Sequence, residues 1–325
     1  MKSVGIIGFG KYLPKKILTN YDLEKIVDTS DEWITTRTGI KERRIAQKNE
    51  AASDLAANAA NAALKSANLD ALDIDLIIVA TITPDMQFPS TACFVQKNIG
   101  AKNAVCFDVS SACAGFVYGI SIAEQFIARN VYKRALVIGA EKLSSVTDWQ
   151  DRNTCVLFGD GAGAVILGQT NQGKIMASYL GTDASAIDLL YLPGGGSRHP
   201  ASLETIEKKM HYIKMQGNEL FKLAVRLMTS AAIKVLDKAG LKEQDIDCFI
   251  PHQANVRIIN AVGQRLKLSS DKIYINIERY GNMSSASAAT AFVEAIEDGY
   301  IKKGDIVLID VFGSGLVWGA IVLKW

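Results

Sequence analysis

The chain is poor in the residues that mark several whole classes of protein. Its 325 residues hold five cysteines, six prolines and three histidines. The cysteines (Cys93, Cys106, Cys113, Cys155 and Cys248) are odd in number and none forms a C-x-x-C pair. That argues against a disulfide framework and for reduced thiols. No cluster of Cys, His, Asp and Glu has metal-ligand spacing, so no metal is expected. Apolar runs stay at strand length: residues 74–83 form one of the longest and include Asp75, so nothing is expected to span a bilayer. The opening MKSVGIIGFGKYLP lacks an apolar core followed by a small-residue cleavage site, and reads as a first strand and turn. Neither sign of charge dominates: 36 Lys and Arg stand against 34 Asp and Glu, so bulk charge does not point to nucleic acid. A globular, cytoplasmic protein is the expectation, and 49% hydrophobic residues suffice for a large core.

Short β-branched runs alternate with longer Ala- and Leu-rich segments, which predicts an α/β protein with mainly parallel strands. Strands are predicted over 4–7, 76–81, 104–109, 135–140, 164–167, 248–251, 306–311 and 320–323. Helices are predicted over 53–67, 90–98, 114–129, 219–238, 256–266 and 284–298. The segments 114–129 and 219–238 are apolar around most of their circumference, unlike a helix that covers one outer face of a sheet. They are expected to form a central helical layer between two sheets, with 53–67 and 256–266 outside.

The chain also repeats itself. Leu64, Ala67, Leu69, Asp73, Ile74 and Asp75 recur as Leu236, Ala239, Leu241, Asp245, Ile246 and Asp247, at a constant shift of 172 residues. The segment from Val131 resembles that from Tyr300, and Gly163-Ala-Val-Ile-Leu resembles Gly319-Ala-Ile-Val-Leu. Three matches in the same order indicate two similar α/β halves, 1–172 and 173–325.

Cys113, in Asp108-Val-Ser-Ser-Ala-Cys-Ala-Gly115, follows a strand and opens an apolar helix. The free N–H groups and positive potential of a helix N-terminus favour a thiolate there, and the layout is that of a nucleophile elbow with Cys in place of Ser. A buried structural cysteine is the other reading. His252 sits at the C-terminal end of a strand, the edge of an α/β sheet where ligands collect, although a lone histidine is often structural. Asn282, in Tyr-Gly-Asn-Met-Ser-Ser, is by itself a turn or N-cap residue. The repeat places it at the position Cys113 holds in the first half, so two helix N-termini would share one site with His252 beside them. Glycines at 5, 8 and 10 and at 159, 161 and 163 do not have the order or context of a phosphate loop.

DVSSACAGF, PHQAN and YGNMSSAS together resemble the β-ketoacyl-acyl-carrier-protein synthase III family of the thiolase superfamily. VDTSDEWITTRTGI, FGDGAGAV, LPGGGS and FGSGLVWG extend the resemblance over nearly the whole chain. It implies a duplicated thiolase-like fold of five layers, α-β-α-β-α, with two mixed sheets. It implies a catalytic set of Cys113, His252 and Asn282, with the backbone N–H groups of Cys113 and Ser314 as oxyanion donors. Ser314 stands where the family usually has glycine. Trp33 and Arg37 align with residues that hold the adenine of coenzyme A. Thr29, Arg152, Asn218, Phe221, Ala254 and Asn255 align with further coenzyme A positions. Arg257 and Lys214 are the expected contacts for an acidic acyl carrier protein, and Phe88 aligns with a residue that enters a partner subunit's acyl pocket, which implies a homodimer. No cofactor is implied, since acyl-CoA and malonyl-acyl-carrier protein are substrates. The implied reaction is decarboxylative condensation that initiates fatty acid synthesis. The alternatives are a specialised starter-unit synthase of a polyketide or secondary-metabolite pathway, or a thioester cysteine hydrolase.

Overall fold

The computed structural model describes residues 3–325. Five strands, β1 (Ser3–Tyr12), β2 (Leu76–Ala80), β3 (Val105–Val109), β4 (Arg134–Lys142) and β5 (Asp160–Thr170), form one sheet in the order β1-β5-β4-β2-β3. Strands β2, β3 and β4 run parallel, and β5 and β1 are antiparallel additions. Four more, β6 (Lys174–Thr182), β7 (Cys248–Pro251), β8 (Ile306–Gly313) and β9 (Val317–Lys324), form a second sheet in the order β7-β8-β9-β6. Here β7 and β8 are parallel and the rest antiparallel. A single parallel bridge from Phe249 to Ile273 stands where a fifth strand would repeat β3. The two sheets thus have the same strand order, and the chain passes from one to the other between Thr170 and Lys174.

The repeated aspartates explain part of the likeness. Asp75 accepts the N–H groups of Lys133 and Arg134 at 2.9 and 3.0 Å, fixing the start of β4 beside β2. Asp247 accepts the N–H of Ile306 at 2.9 Å, doing the same for β8 beside β7.

Alternation along the central strands sends side chains into different cores. Ile78 and Val137 of the first sheet, and Ile250, Val307 and Ile309 of the second, face a shared interior. That interior holds two helices, α3 (Gly115–Ala128) and α6 (Ser285–Glu297). On the far side of the first sheet, Ile77, Val79, Leu136 and Ile138 pack on α1 (Ala52–Ala67) and α2 (Thr91–Ile99). On the far side of the second, Phe249, Leu308 and Phe312 pack on α4 (Gly217–Ala239) and α5 (Val256–Arg265). The result is five layers, α-β-α-β-α, in the expected thiolase-like arrangement.

One expectation is overturned. The segment 219–238 was assigned to the central layer, but α4 lies outside, with Lys222, Arg226, Lys234 and Lys238 turned away from the core. The second central helix is α6, which buries every residue from Ser285 to Ala295. Its Ala and Ser side chains let the β-layers come close: a Cβ on Gly163 of β5 would lie 2.6 Å from the Ala289 carbonyl carbon. The repeat itself carried this answer, because Leu64 of outer helix α1 pairs with Leu236 of α4. Strand β6, KIMASYLGT, was not anticipated; its mixed, half-exposed residues lack a clean alternation.

Candidate active site

The C-terminal ends of β3 and β7 and the N-terminal ends of α3 and α6 converge on one cavity of about 120 Å³. Cys113, His252 and Asn282 all line it. Its other walls are largely apolar, among them Leu157, Phe158 and Phe312.

Cys113 sits in a 3-10 turn, Ala112–Ala114, that leads directly into α3, and Ala112 takes a left-handed φ of +41°. The thiol is 6% exposed. Burial pushes its pKa up to about 12, with the negative charge of Glu141 adding to the rise. The sequence argument expected the helix N-terminus to favour a thiolate. In the folded protein desolvation is the larger effect, so the resting group is a neutral thiol.

His252 follows the end of β7 and donates its backbone N–H to the Asp310 carbonyl at 2.8 Å. Burial lowers the imidazole pKa to about 3, which keeps the ring neutral, and its Nδ1 is buried without a partner. Asn282 is pinned through its main chain: its N–H donates to Leu157 O at 2.8 Å and its carbonyl accepts from Gly159 at 3.0 Å. Its Oδ1 accepts the Ser284 N–H at 2.8 Å. With Oδ1 engaged, the side-chain NH2 is the donor that Asn282 has left to offer.

Sequence reasoning missed Gly313. Its missing side chain is a steric requirement, because a Cβ there would lie 2.7 Å from the Cys113 nitrogen. The signal is present in Phe312-Gly-Ser-Gly315, where two glycines flank Ser314. Phe312 and Gly313 of that segment line the cavity wall, while the Ser314 hydroxyl donates to the Leu190 carbonyl. Glu141, fully buried at the end of β4, was also missed, since no motif contains it.

The residues aligned with coenzyme A positions fall into two groups. Phe221, Ala254 and Asn255 share the cavity with Cys113. Trp33 lies in the short helix Asp31–Thr38, with the Arg37 and Arg152 guanidinium carbons 4.6 and 4.1 Å from its ring centroid. Asn255 links the groups by donating its side-chain N–H to the Arg37 carbonyl at 3.0 Å. Thr29 buries an Oγ1 that has no partner, and Asn218 is exposed in the first turn of α4. Arg257 lies over the Phe221 ring at 5.5 Å, and Lys214 is half-buried in a two-residue pairing with Tyr191. Phe88 is 82% exposed and is not among the residues lining the cavity. Among the described residues there is no cluster of metal-binding groups, and no helix is long and apolar enough to cross a membrane.

Known proteins share both the sequence and this architecture. The family model for the 3-oxoacyl-[acyl-carrier-protein] synthase III C-terminal region matches residues 236–325, and the model for 3-oxoacyl-[acyl-carrier-protein] synthase III matches residues 107–184. A β-ketoacyl-[acyl-carrier-protein] synthase III of Caldanaerobacter subterraneus is 60% identical, over 99% of this chain and 98% of that protein. The crystal structure of 3-oxoacyl-[acyl-carrier-protein] synthase III from Aquifex aeolicus superimposes with a TM-score of 0.93 at 50% identity, covering 99% of this chain and 100% of the other. A priming β-ketosynthase from a polyketide biosynthetic pathway superimposes with a TM-score of 0.92 at 32% identity, over 99% and 96% of the two chains. With its fold, the converging Cys, His and Asn, and this identity along its whole length, the chain belongs to the 3-oxoacyl-[acyl-carrier-protein] synthase III family.

Proposed function

We propose that the protein condenses a short-chain acyl-CoA primer with malonyl-acyl-carrier protein, giving 3-oxoacyl-acyl-carrier protein and CO2 and so initiating fatty acid synthesis. The observation that carries this reading is the single apolar cavity onto which Cys113, His252 and Asn282 open in a chain of this family. The Cys113 sulfur attacks the thioester carbonyl, and the N–H groups of Cys113 and Ser314 hold the oxyanion until CoA leaves. Malonyl-acyl-carrier protein then binds, and its C–C bond to the carboxylate breaks. The electron pair moves onto the thioester as an enolate, whose oxygen accepts hydrogen bonds from His252 and Asn282. A neutral imidazole suits this task, since it donates without giving up its proton. The enolate carbon attacks the acyl-cysteine, and the Cys113 sulfur departs. The electrons come from the bond to CO2, so the scheme calls for no cofactor or metal.

The outer residues fit around this core. Trp33, flanked by Arg37 and Arg152, would stack the adenine, and Thr29, Asn218, Phe221, Ala254 and Asn255 would guide the pantetheine arm. Arg257 and Lys214 would meet an acidic carrier protein near the cavity mouth. Phe88 would enter the acyl pocket of a second subunit in a homodimer. The free thiols suit a cytoplasmic enzyme.

Mass spectrometry after mixing with acyl-CoA tests the reading. The expected result is an acyl adduct on Cys113 that malonyl-acyl-carrier protein converts to a 3-oxoacyl product. Release of free acid without that product would identify a thioester hydrolase instead. His252→Ala and Asn282→Ala are each expected to keep the adduct but to slow condensation ~100- to 1000-fold.

A further inference from the structure

Arg43 is a fully buried cation with no part in the chemistry above. Taking a charged group out of water is costly unless its donors are well matched. Arg43 lies in the short strand Glu42–Ile45, and its guanidinium donates to three neutral oxygens. These are Leu18 O at 3.2 Å, Asn20 Oδ1 at 2.9 Å and Val156 O at 2.7 Å. The last two lead to different parts of the site. Val156 opens the segment that holds Asn282: the next carbonyl, that of Leu157, accepts the Asn282 N–H at 2.8 Å. Gly159 donates to the Asn282 carbonyl at 3.0 Å, and Phe158 forms a parallel bridge with Asn282. The Arg43 stem packs against both segments of that bridge. A Cβ on Gly159 would lie 3.1 Å from the Arg43 Cβ, and one on Gly281 would lie 3.4 Å from it. Asn20, also fully buried, leads to the helix Asp31–Thr38, which carries Trp33 and Arg37. Its Nδ2 donates to Asp31 Oδ1 at 2.9 Å and to Ile40 O at 2.7 Å, fixing the start of that helix and the turn beyond its end.

We propose that Arg43 is a positioning residue that sets the aim of the Asn282 side-chain NH2 and holds the helix carrying Trp33 in the same frame. This rests on the condensing reading above. Asn282 is pinned through its main chain, so a shift of the Leu157 carbonyl turns its side chain with it. Arg43 is not among the residues lining the cavity, and it acts through the groups it holds. Its effect falls on the step that uses Asn282, the decarboxylation of the malonyl group, and on acyl-CoA binding at Trp33. An arginine suits this place because its planar fork presents two terminal nitrogens to diverging oxygens, whereas a lysine presents one.

Two variants separate geometry from charge: Arg43→Lys keeps the charge and loses the fork, and Arg43→Gln keeps one terminal nitrogen and loses the charge. The measurement is single-turnover condensation of the isolated acyl-enzyme with malonyl-acyl-carrier protein. Both variants should still form the Cys113 adduct, with a raised KM for acyl-CoA. Their condensation step should slow ~100-fold, the cost of a small misplacement at a group that meets the reacting atoms. In an Asn282→Ala background the same replacements should slow that step by no more than ~2-fold, because effects that pass through one group do not multiply. In protein labelled with 15N-asparagine, the Asn282 resonances should shift in both variants while those of the exposed Asn68 stay in place. Equal slowing in the two backgrounds overturns the proposal, since Arg43 would then act only on overall stability. So do unmoved Asn282 resonances in a folded variant. If Arg43→Lys fails to fold by circular dichroism, Arg43→Gln decides alone. A wild-type acyl-enzyme that yields no 3-oxoacyl product would sink the condensing reading, and the Asn282 resonances would then decide the role of Arg43.

Discussion

At Gly313, the space one hydrogen occupies decides whether the nucleophile can be built. The C-terminal end of β8 brings this residue against the Cys113 backbone, and a methyl group would lie 2.7 Å from Cys113 N and 3.1 Å from its Cβ. Neither neighbour can move freely, because Cys113 belongs to the strained turn that starts α3. Gly313→Ala is therefore expected to displace Cys113 and abolish formation of the acyl adduct while the fold survives. Intact-mass measurement after acyl-CoA treatment, beside an unchanged far-UV circular dichroism spectrum, checks it. The three reacting side chains obey a related logic. Burial makes Cys113 a neutral thiol and His252 a neutral imidazole. The site thus holds little charge at rest, and charge appears only where the reaction generates it.

At the scale of elements, helix ends place the chemistry. Helices α3 and α6 begin next to Cys113 and Asn282, and α5 begins at Asn255, just beyond His252. Asn255 caps α5 by accepting the Arg257 N–H at 2.9 Å, and it donates to the Arg37 carbonyl at 3.0 Å. One side chain thus joins the helix carrying Trp33 to the segment carrying His252. Asn255→Ala removes both bonds. The cap alone is worth ~0.5–2 kcal/mol. The expected outcome is a lower thermal midpoint together with a raised KM for acyl-CoA, while kcat changes little. Differential scanning calorimetry and steady-state kinetics separate the two effects. The element-level error in reading the sequence also has a local cause. Apolar content assigned α4 to the centre, but a helix between two sheets needs small residues more than large ones. The Ala- and Ser-rich α6 meets that need, and the charged face of α4 does not.

At the scale of the whole molecule, the first sheet ends in β3, whose residues are exposed or half-buried, with Val105 50% exposed. An uncovered edge strand invites pairing with another chain. The adjoining loop presents Met86 at 48% and Phe88 at 82% exposure and runs into α2, whose first N–H groups are held by Asp108 of β3. An apolar side chain so exposed beside an open edge supports the proposed homodimer. Phe88→Asp is expected to yield a monomer by analytical ultracentrifugation, with loss of condensing activity; a dimer that persists would place Phe88 outside the interface.

Much of this protein was legible without coordinates, because local patterns encode local structure. The periodicities located most of the strands and helices, the 172-residue repeat carried the likeness of the two sheets, and ordered motifs singled out Cys113, His252 and Asn282. Those features depend on residues near one another in the chain. The assignment of α6 to the central layer, the contact of Gly313 with Cys113 and the hydrogen bond from Ser285 to Glu141 depend on packing between segments far apart in sequence. So do the protonation states of the site: a helix N-terminus argues for a thiolate, but only the folded interior shows how much water Cys113 has lost. Desolvation is a property of the assembled core, and it sets the neutral thiol from which the proposed chemistry begins.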